Sequence, residues 1–232
     1  MKDFSEFEKK IGITFSNKNL LKEAFTHRSY LNENPSRGVG HNERLEFLGD
    51  AVLELLVTEH LFVNFPDKPE GELTSFRAAL VNANMLSEVA HELGMNDYLL
   101  LSRGEAKDVG RARQYILANA FEALVGALYL DQGYEVSKKF IKVNVLQHLE
   151  EVLSRRLFRD PKSLFQEKVQ DLLRITPIYR VLREWGPDHD KHFVVGVYLG
   201  EEMVAQGEGS SKQEAEVDAA SSGLKIKKWE GY

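Results

Sequence analysis

The chain has 232 residues, no cysteine, 43% hydrophobic and 28% charged residues, and a formal net charge of −6 with a pI near 5.7. Lacking cysteine, it has neither disulfides nor thiolate metal sites, which fits a reducing compartment. With 20 basic and 23 acidic residues before Asp160, and 10 and 13 from it onward, neither part has the bulk basicity of a typical nucleic-acid binder. The start, MKDFSEFEKK, reads as neither signal peptide nor membrane span, and the best apolar run, AVLELLV, is far too short to cross a bilayer. No membrane association and a cytoplasmic location are the expectation.

Residues from about 3 to 31 read as short helices, with Phe4, Phe7, Ile11, Ile13, Phe15, Leu20, Leu21, Ala24 and Phe25 at helical spacing. Asn17 is placed to cap the second of them. His27 and Arg28, at its end, would complement the helix dipole. The loop NENPSRGVG then leads into HNERLEFLGDAVLELLVTEHLF, a helix with Asn42 as its expected N-cap. At about 100° per residue, Glu46 lies roughly 60° and Asp50 roughly 20° from Glu43, so three carboxylates share one face. Leu45, Leu48, Val52, Leu55 and Leu56 supply much of the remaining surface and imply a largely buried helix. Burying an unpaired carboxylate costs several kcal/mol or forces protonation, and a divalent cation removes that cost. The competing reading is a solvated acidic stripe on an amphipathic helix.

After the turn NFPDKPEGE, the pattern predicts one helix over Leu73–Leu93, stopped by Gly94. LLLSRGEAKDVGRARQ is a polar loop bearing Glu105. Gln114–Asp131 is a second strongly apolar helix, closed by Gly133, with Glu122 its one interior acid and Asn119 three residues earlier on the same face. A last helix, Tyr134 to about Leu157, ends in the charged, proline-containing SRRLFRDP, suited to a domain boundary. The expected domains are therefore 1–157, all helical, and 158–232. In the second, a helix over Lys162–Leu173, the strands IYRVLREW, HFVVGVYLG and EMVAQGEG, and a closing helix begun at Ser211 with Glu214 as in a capping box make a small α+β domain of order α-β-β-β-α. Trp185, Phe193, Val195 and Val197 are its expected core.

Two apolar helices thus carry oxygen ligands: Glu43, Glu46 and Asp50 on one, Asn119 and Glu122 on the other. Such ligands suit Mg²⁺ or Mn²⁺, and the absence of Cys or a convergent His pair argues against zinc. A cation there would activate water and neutralise charge on a phosphoryl group, so spacing points to metal-assisted phosphodiester hydrolysis. Di-iron proteins also use carboxylate-bearing helices, but with Glu-x-x-His pairs that are absent here.

HNERLEFLGDAVLELLV resembles the signature of the ribonuclease III family, in the bacterial form with one nuclease domain followed by one double-stranded-RNA-binding domain. ILANAFEALVGALYLDQGY resembles that family's other acidic motif, and GPDHDKHF with GEGSSKQEAEVDAA resembles its RNA-binding domain. The resemblance implies a homodimeric, Mg²⁺-dependent endoribonuclease, with Mn²⁺ as a substitute. Such an enzyme cleaves double-stranded RNA to 5′-phosphate and 3′-hydroxyl ends and processes ribosomal RNA precursors and other transcripts. It implies metal ligation by Glu46, Asp50, Asn119 and Glu122, with Asp50 and Glu122 the residues whose loss most damages cleavage. Phe47 would lie at the dimer interface. Glu43, Glu70 and Glu105 match further acidic positions of the catalytic valley; for Glu70 and Glu105, ordinary surface charge is the competing reading.

Two positions depart from the family pattern. Asn119 stands where the family usually has Asp, keeping an oxygen but losing a charge. This opens a second reading, a double-stranded-RNA-binding protein with an impaired nuclease site. In the second domain the resemblance places Gln166 and Glu167 in one minor groove, His189 in the next, and Ser210, Ser211 and Lys212 on phosphates. Gln213 replaces a frequent second Lys and the domain is net acidic, so weak binding with a shallow salt dependence is expected.

Overall fold

The computed structural model describes residues 2–34, 38–107, 109–154, 158, 160–187 and 191–229. The chain divides into two compact units, Met1–Phe158 and Arg159–Tyr232. Phe158 packs its ring edge-on against Phe76 at 4.6 Å, inside the first unit.

The first unit is helical. Three short helices, α1 (Ser5–Ile11), α2 (Lys18–Ala24) and α3 (Arg28–Glu33), precede the long α4 (Glu43–Asn64). They are followed by α5 (Glu70–Val81), α6 (Ala83–Glu92), α7 (Arg111–Asn144) and α8 (Leu149–Ser154). The expected helix over Leu73–Leu93 is two helices. Asn82 interrupts it in extended backbone: its side-chain carbonyl accepts from the Met85 N–H to start α6, while its amide donates to the Ala78 and Ala79 carbonyls to end α5. Gly133 breaks the helical backbone inside α7 at φ 77°, ψ −170°, a conformation open to glycine. The expected helix from Tyr134 to Leu157 likewise ends at Asn144, where a short 3-10 turn leads into α8.

The core gathers around α4 and α7, where Leu53, Leu56, Val57 and Leu61 meet Phe121, Leu124, Val125 and Leu128, all essentially inaccessible to solvent. Each such side chain contributes about 1.5–3 kcal/mol by burial. Leu55 does not share in this: it is exposed, as is Asp50, so α4 is buried on one side only.

Carboxylates hold the short helices in place. The buried Glu8 accepts from the Phe15 N–H and from Lys18 Nζ at 2.6 Å each, and Asp131 at the end of the first stretch of α7 accepts from the Ser16 and Asn17 N–H groups. Asn17 caps α2 as expected. His27 instead starts α3, its Nδ1 accepting from the Ser29 N–H, and Arg28 faces Glu43. Asn42 precedes α4 but makes no capping bond; its side chain, buried, donates to the Ala24 carbonyl and its N–H to Thr26.

The second unit opens with α9 (Pro161–Leu173), capped by the Asp160 side chain, continues as an antiparallel sheet of β1 (Ile178–Trp185), β2 (His192–Leu199) and β3 (Glu202–Gly209) in that order, and closes with α10 (Lys212–Lys227). Glycine lets β3 and α10 touch: a Cβ on Gly207 would lie 2.1 Å from the Ala219 nitrogen. Phe193, Val195 and Val197 are buried as expected, whereas Trp185 is 47% exposed at the end of β1, stacked on His192 at 5.5 Å. No described helix is long and apolar enough to cross a membrane.

Candidate active site

The site begins with two glycines. A Cβ on Gly49 would fall 1.7 Å from the Glu122 carbonyl oxygen, and one on Gly126 would fall 2.2 Å from the Leu45 carbonyl oxygen. Only glycine on both helices lets α4 and α7 approach backbone to backbone. That crossing brings the turn holding Glu46 and Asp50 against the turn holding Asn119 and Glu122. These glycines carry no chemistry and are absent from a list of candidate ligands, yet a glycine inside each of two apolar helical runs was the signal for a close crossing.

The electrostatics separate the carboxylates. Glu43, exposed, is met by Arg28 at 3.5 Å, so a protein cation already faces it, and the His41 ring stands 3.7 Å away. Among the described residues no ion pair engages Glu46, Asp50 or Glu122. Burial, followed by the charges of Asp50, Glu46 and Glu54, pushes the Glu122 carboxyl up to about 8. Glu46 is raised too, first by burial and then by Glu43, against which a hydrogen bond donated by the Asn119 amide works. Glu54, one turn beyond Asp50, was missed from the sequence although the same helical arithmetic finds it.

As they stand, no three Asp, Glu, His or Cys side chains among the described residues close into a metal cluster. The donors nevertheless fit a hard divalent cation. They are all oxygens, they sit at one helix crossing, and burial together with their mutual repulsion raises the Glu122 carboxyl, a cost that a positive charge would relieve. Chemically, such a group can bind a cation, orient a water and release a proton.

The remaining candidates are spread more widely. Glu70 is exposed at the start of α5, its carboxylate accepting from the Thr74 hydroxyl. Glu105 is half-buried in a 3-10 turn whose backbone is pinned by Ser102 and Arg113. Phe47 is 83% exposed and begins an apolar stripe on α4 with Leu55 (55%) and Phe62 (72%).

In the second unit Gln166 and Glu167 are exposed on α9, and Ser210, Ser211 and Lys212 are exposed where α10 begins. His189 lies outside the described residues. Ser211 caps α10 by accepting from the Glu214 N–H. The reciprocal bond of the box goes to Ser210, whose N–H and hydroxyl both donate to the Glu214 carboxylate. The Lys212 ammonium stands 5.7 Å from the Phe193 ring centre, held toward the helix start.

Comparison with known proteins accounts for both units. Residues 17–149 match the Ribonuclease-III-like model and residues 161–227 match the double-stranded RNA binding motif. Ribonuclease 3 of Borreliella afzelii is 45% identical over 221 residues, covering 95% of this chain and 90% of the relative. Ribonuclease 3 of a Nitratiruptor species is 44% identical over 232 residues, covering 98% of each. The crystal structure of the nuclease domain of ribonuclease III from Campylobacter jejuni, 39% identical, superposes with a TM-score of 0.55 over 65% of this chain and 96% of that one. A helical unit built on a carboxylate-lined helix crossing, joined to this RNA-binding motif in this order, makes the chain a member of the ribonuclease III family.

Proposed function

We propose that this double-stranded-RNA endoribonuclease uses Mg²⁺, or Mn²⁺ in its place, and works as a homodimer on ribosomal RNA precursors and other structured transcripts. The observation that carries the reading is the Gly49–Gly126 crossing, which sets the uncompensated Glu46, Asp50 and Glu122 together with Asn119. A cation held there would supply charge neutralisation and a more acidic water. Glu46, Asp50 and Glu122 would hold it through carboxylate oxygens, and Asn119 through its amide oxygen after releasing Glu46. Asp50 and Glu122 face each other's charge most directly, and theirs are the losses that should abolish cleavage.

The dimer reading rests on the apolar stripe of α4. Three large apolar side chains in water along one helix face form a patch of the kind that marks an interface. The occupant we assign is a second copy of the chain, because one Campylobacter jejuni relative, 39% identical, is described as having a region involved in dimer formation in its nuclease domain. Gln166, Glu167, His189, Ser210, Ser211 and Lys212 are proposed to contact the duplex, and Glu43, Glu70 and Glu105 to line its path. A cytoplasmic location completes the proposal.

Asn119 supports a second reading, RNA binding without efficient cleavage, since its amide is engaged with Glu46 and brings no charge. Labelled duplex RNA separates the two. Cleavage in Mg²⁺ that stops in Ca²⁺ or EDTA supports the nuclease; a shifted duplex that stays intact at every Mg²⁺ concentration would establish the second.

A further inference from the structure

α4 carries a further carboxylate on its catalytic face. Glu54 lies roughly 40° around the helix from Asp50 and 20° from Glu43, one turn farther along. It is half-buried, and none of the ion pairs among the described residues engages it. The next acid on the same helix shows the ordinary alternative: Glu59 is paired with Lys138 at 2.9 Å and takes a hydrogen bond from the Tyr134 hydroxyl. Glu54 instead shares the face of α4 that carries Glu43, Glu46 and Asp50, one turn past Asp50, and its charge adds to those that raise Glu122. A half-buried carboxylate opposed to other carboxylates destabilises the protein unless a cation is shared among them. Asn119, on α7, leaves that need greater by offering an oxygen with no charge.

We propose that Glu54 is a positioning residue of the metal centre, supplying from the turn beyond Asp50 the negative charge that Asn119 does not bring. It acts on the cation through Asp50 and Glu122 and the water around them, not as a direct ligand. The proposal rests on the metal-dependent reading above. It explains why a carboxylate without a protein partner is placed one turn past the ligands.

The test compares full-length wild type, Glu54→Gln, Glu54→Asp and the control Glu72→Gln, which removes a half-buried acid of α5 that is paired with Lys68. Mn²⁺ binding is followed by the paramagnetic resonance of the free ion, and thermal unfolding is recorded in EDTA. Glu54→Gln should weaken Mn²⁺ binding roughly tenfold, the scale of outer-sphere carboxylate effects, and at the same time raise the unfolding temperature of the metal-free protein. Glu54→Asp, which keeps the charge, should hold most of the affinity, and Glu72→Gln should leave it unchanged. A merely structural carboxylate would give the opposite sign in EDTA. Unchanged Mn²⁺ affinity in Glu54→Gln, a lower metal-free unfolding temperature, or equal losses in Gln and Asp would each overturn the proposal while leaving the metal reading intact. Failure of the wild type to take up Mn²⁺ at all would overturn both.

Discussion

Glu122 is the residue where the chemistry of this protein is most exposed to measurement. Its carboxyl is pushed up to about 8 by burial and by Asp50, Glu46 and Glu54. An acid whose folded value is raised takes its proton more readily in the folded state, so its contribution to stability is complete below its ordinary value and is lost as pH climbs through about 8. Metal-free protein should therefore lose thermal stability between pH 5 and 8, and Glu122→Gln, which mimics the protonated acid, should flatten that slope. Parallel slopes in calorimetry of the two proteins in EDTA would contradict this. Asn119 makes the complementary case. Asn119→Asp adds a charge beside Glu46, so it should tighten Mg²⁺ binding by about 1–2 kcal/mol, roughly tenfold. Metal-free stability should fall in the same variant. A Mg²⁺ titration of cleavage rate, alongside unfolding in EDTA, reads both effects, and an unchanged Mg²⁺ midpoint would show that position 119 lies outside the ion's reach.

Between elements, the decisive contact is α4 against α7. Gly49→Ala would put a methyl carbon 1.7 Å from a backbone carbonyl oxygen that cannot rotate away. The helices must part, at a cost of about 3 kcal/mol or more, and the ligands separate with them. Metal binding should vanish along with stability. Gly71→Ala on α5 is the contrasting substitution: nothing lies within 4 Å of the added carbon, and the helix should gain about 0.5–1 kcal/mol. Denaturant unfolding of both variants tests the pair. The helices themselves were legible because apolar spacing marks them directly, and the capping chemistry of Asn17 and Ser211 was legible because it is local. Asn82 was not: an Asn in a run of good helix formers is a weak local signal, and here it breaks the helix only through bonds at both ends of its side chain. The role of Asn42 was hidden because it bonds to a segment distant from its own helix pattern, the end of α2 and Thr26, and His27 likewise gives its backbone N–H to Leu100 while its ring accepts from the Ser29 N–H. Glu43 could be told from Glu46 only by the Arg28 guanidinium that the fold brings to it.

At the scale of the whole molecule, the question is what covers the apolar face of α4. Helical spacing alone made Leu55 look like core, because periodicity distinguishes an apolar position from a polar one but not a core from an interface. In the structure Phe47, Leu55 and Phe62 recur about every two turns along one face, all exposed, while the opposite side of the same helix is filled by Leu53 and Leu56. A helix apolar on both sides is buried on both sides in the working state. A second copy of the chain offers the same stripe, and a two-fold axis through it would be self-complementary. Phe47→Asp places a charge at the outer end of that stripe without touching the core, so it should leave the unfolding midpoint of the monomer nearly unchanged, shift the sedimenting species to monomer at micromolar concentration, and reduce cleavage of both strands of a duplex. Substituting Phe62 in the same way should act likewise, and the two changes together should add little once the dimer is gone. Wild-type protein sedimenting as a monomer at the concentrations where it cleaves would contradict the dimer. So would Phe47→Asp protein that stayed dimeric and fully active, since the stripe would then need a different partner.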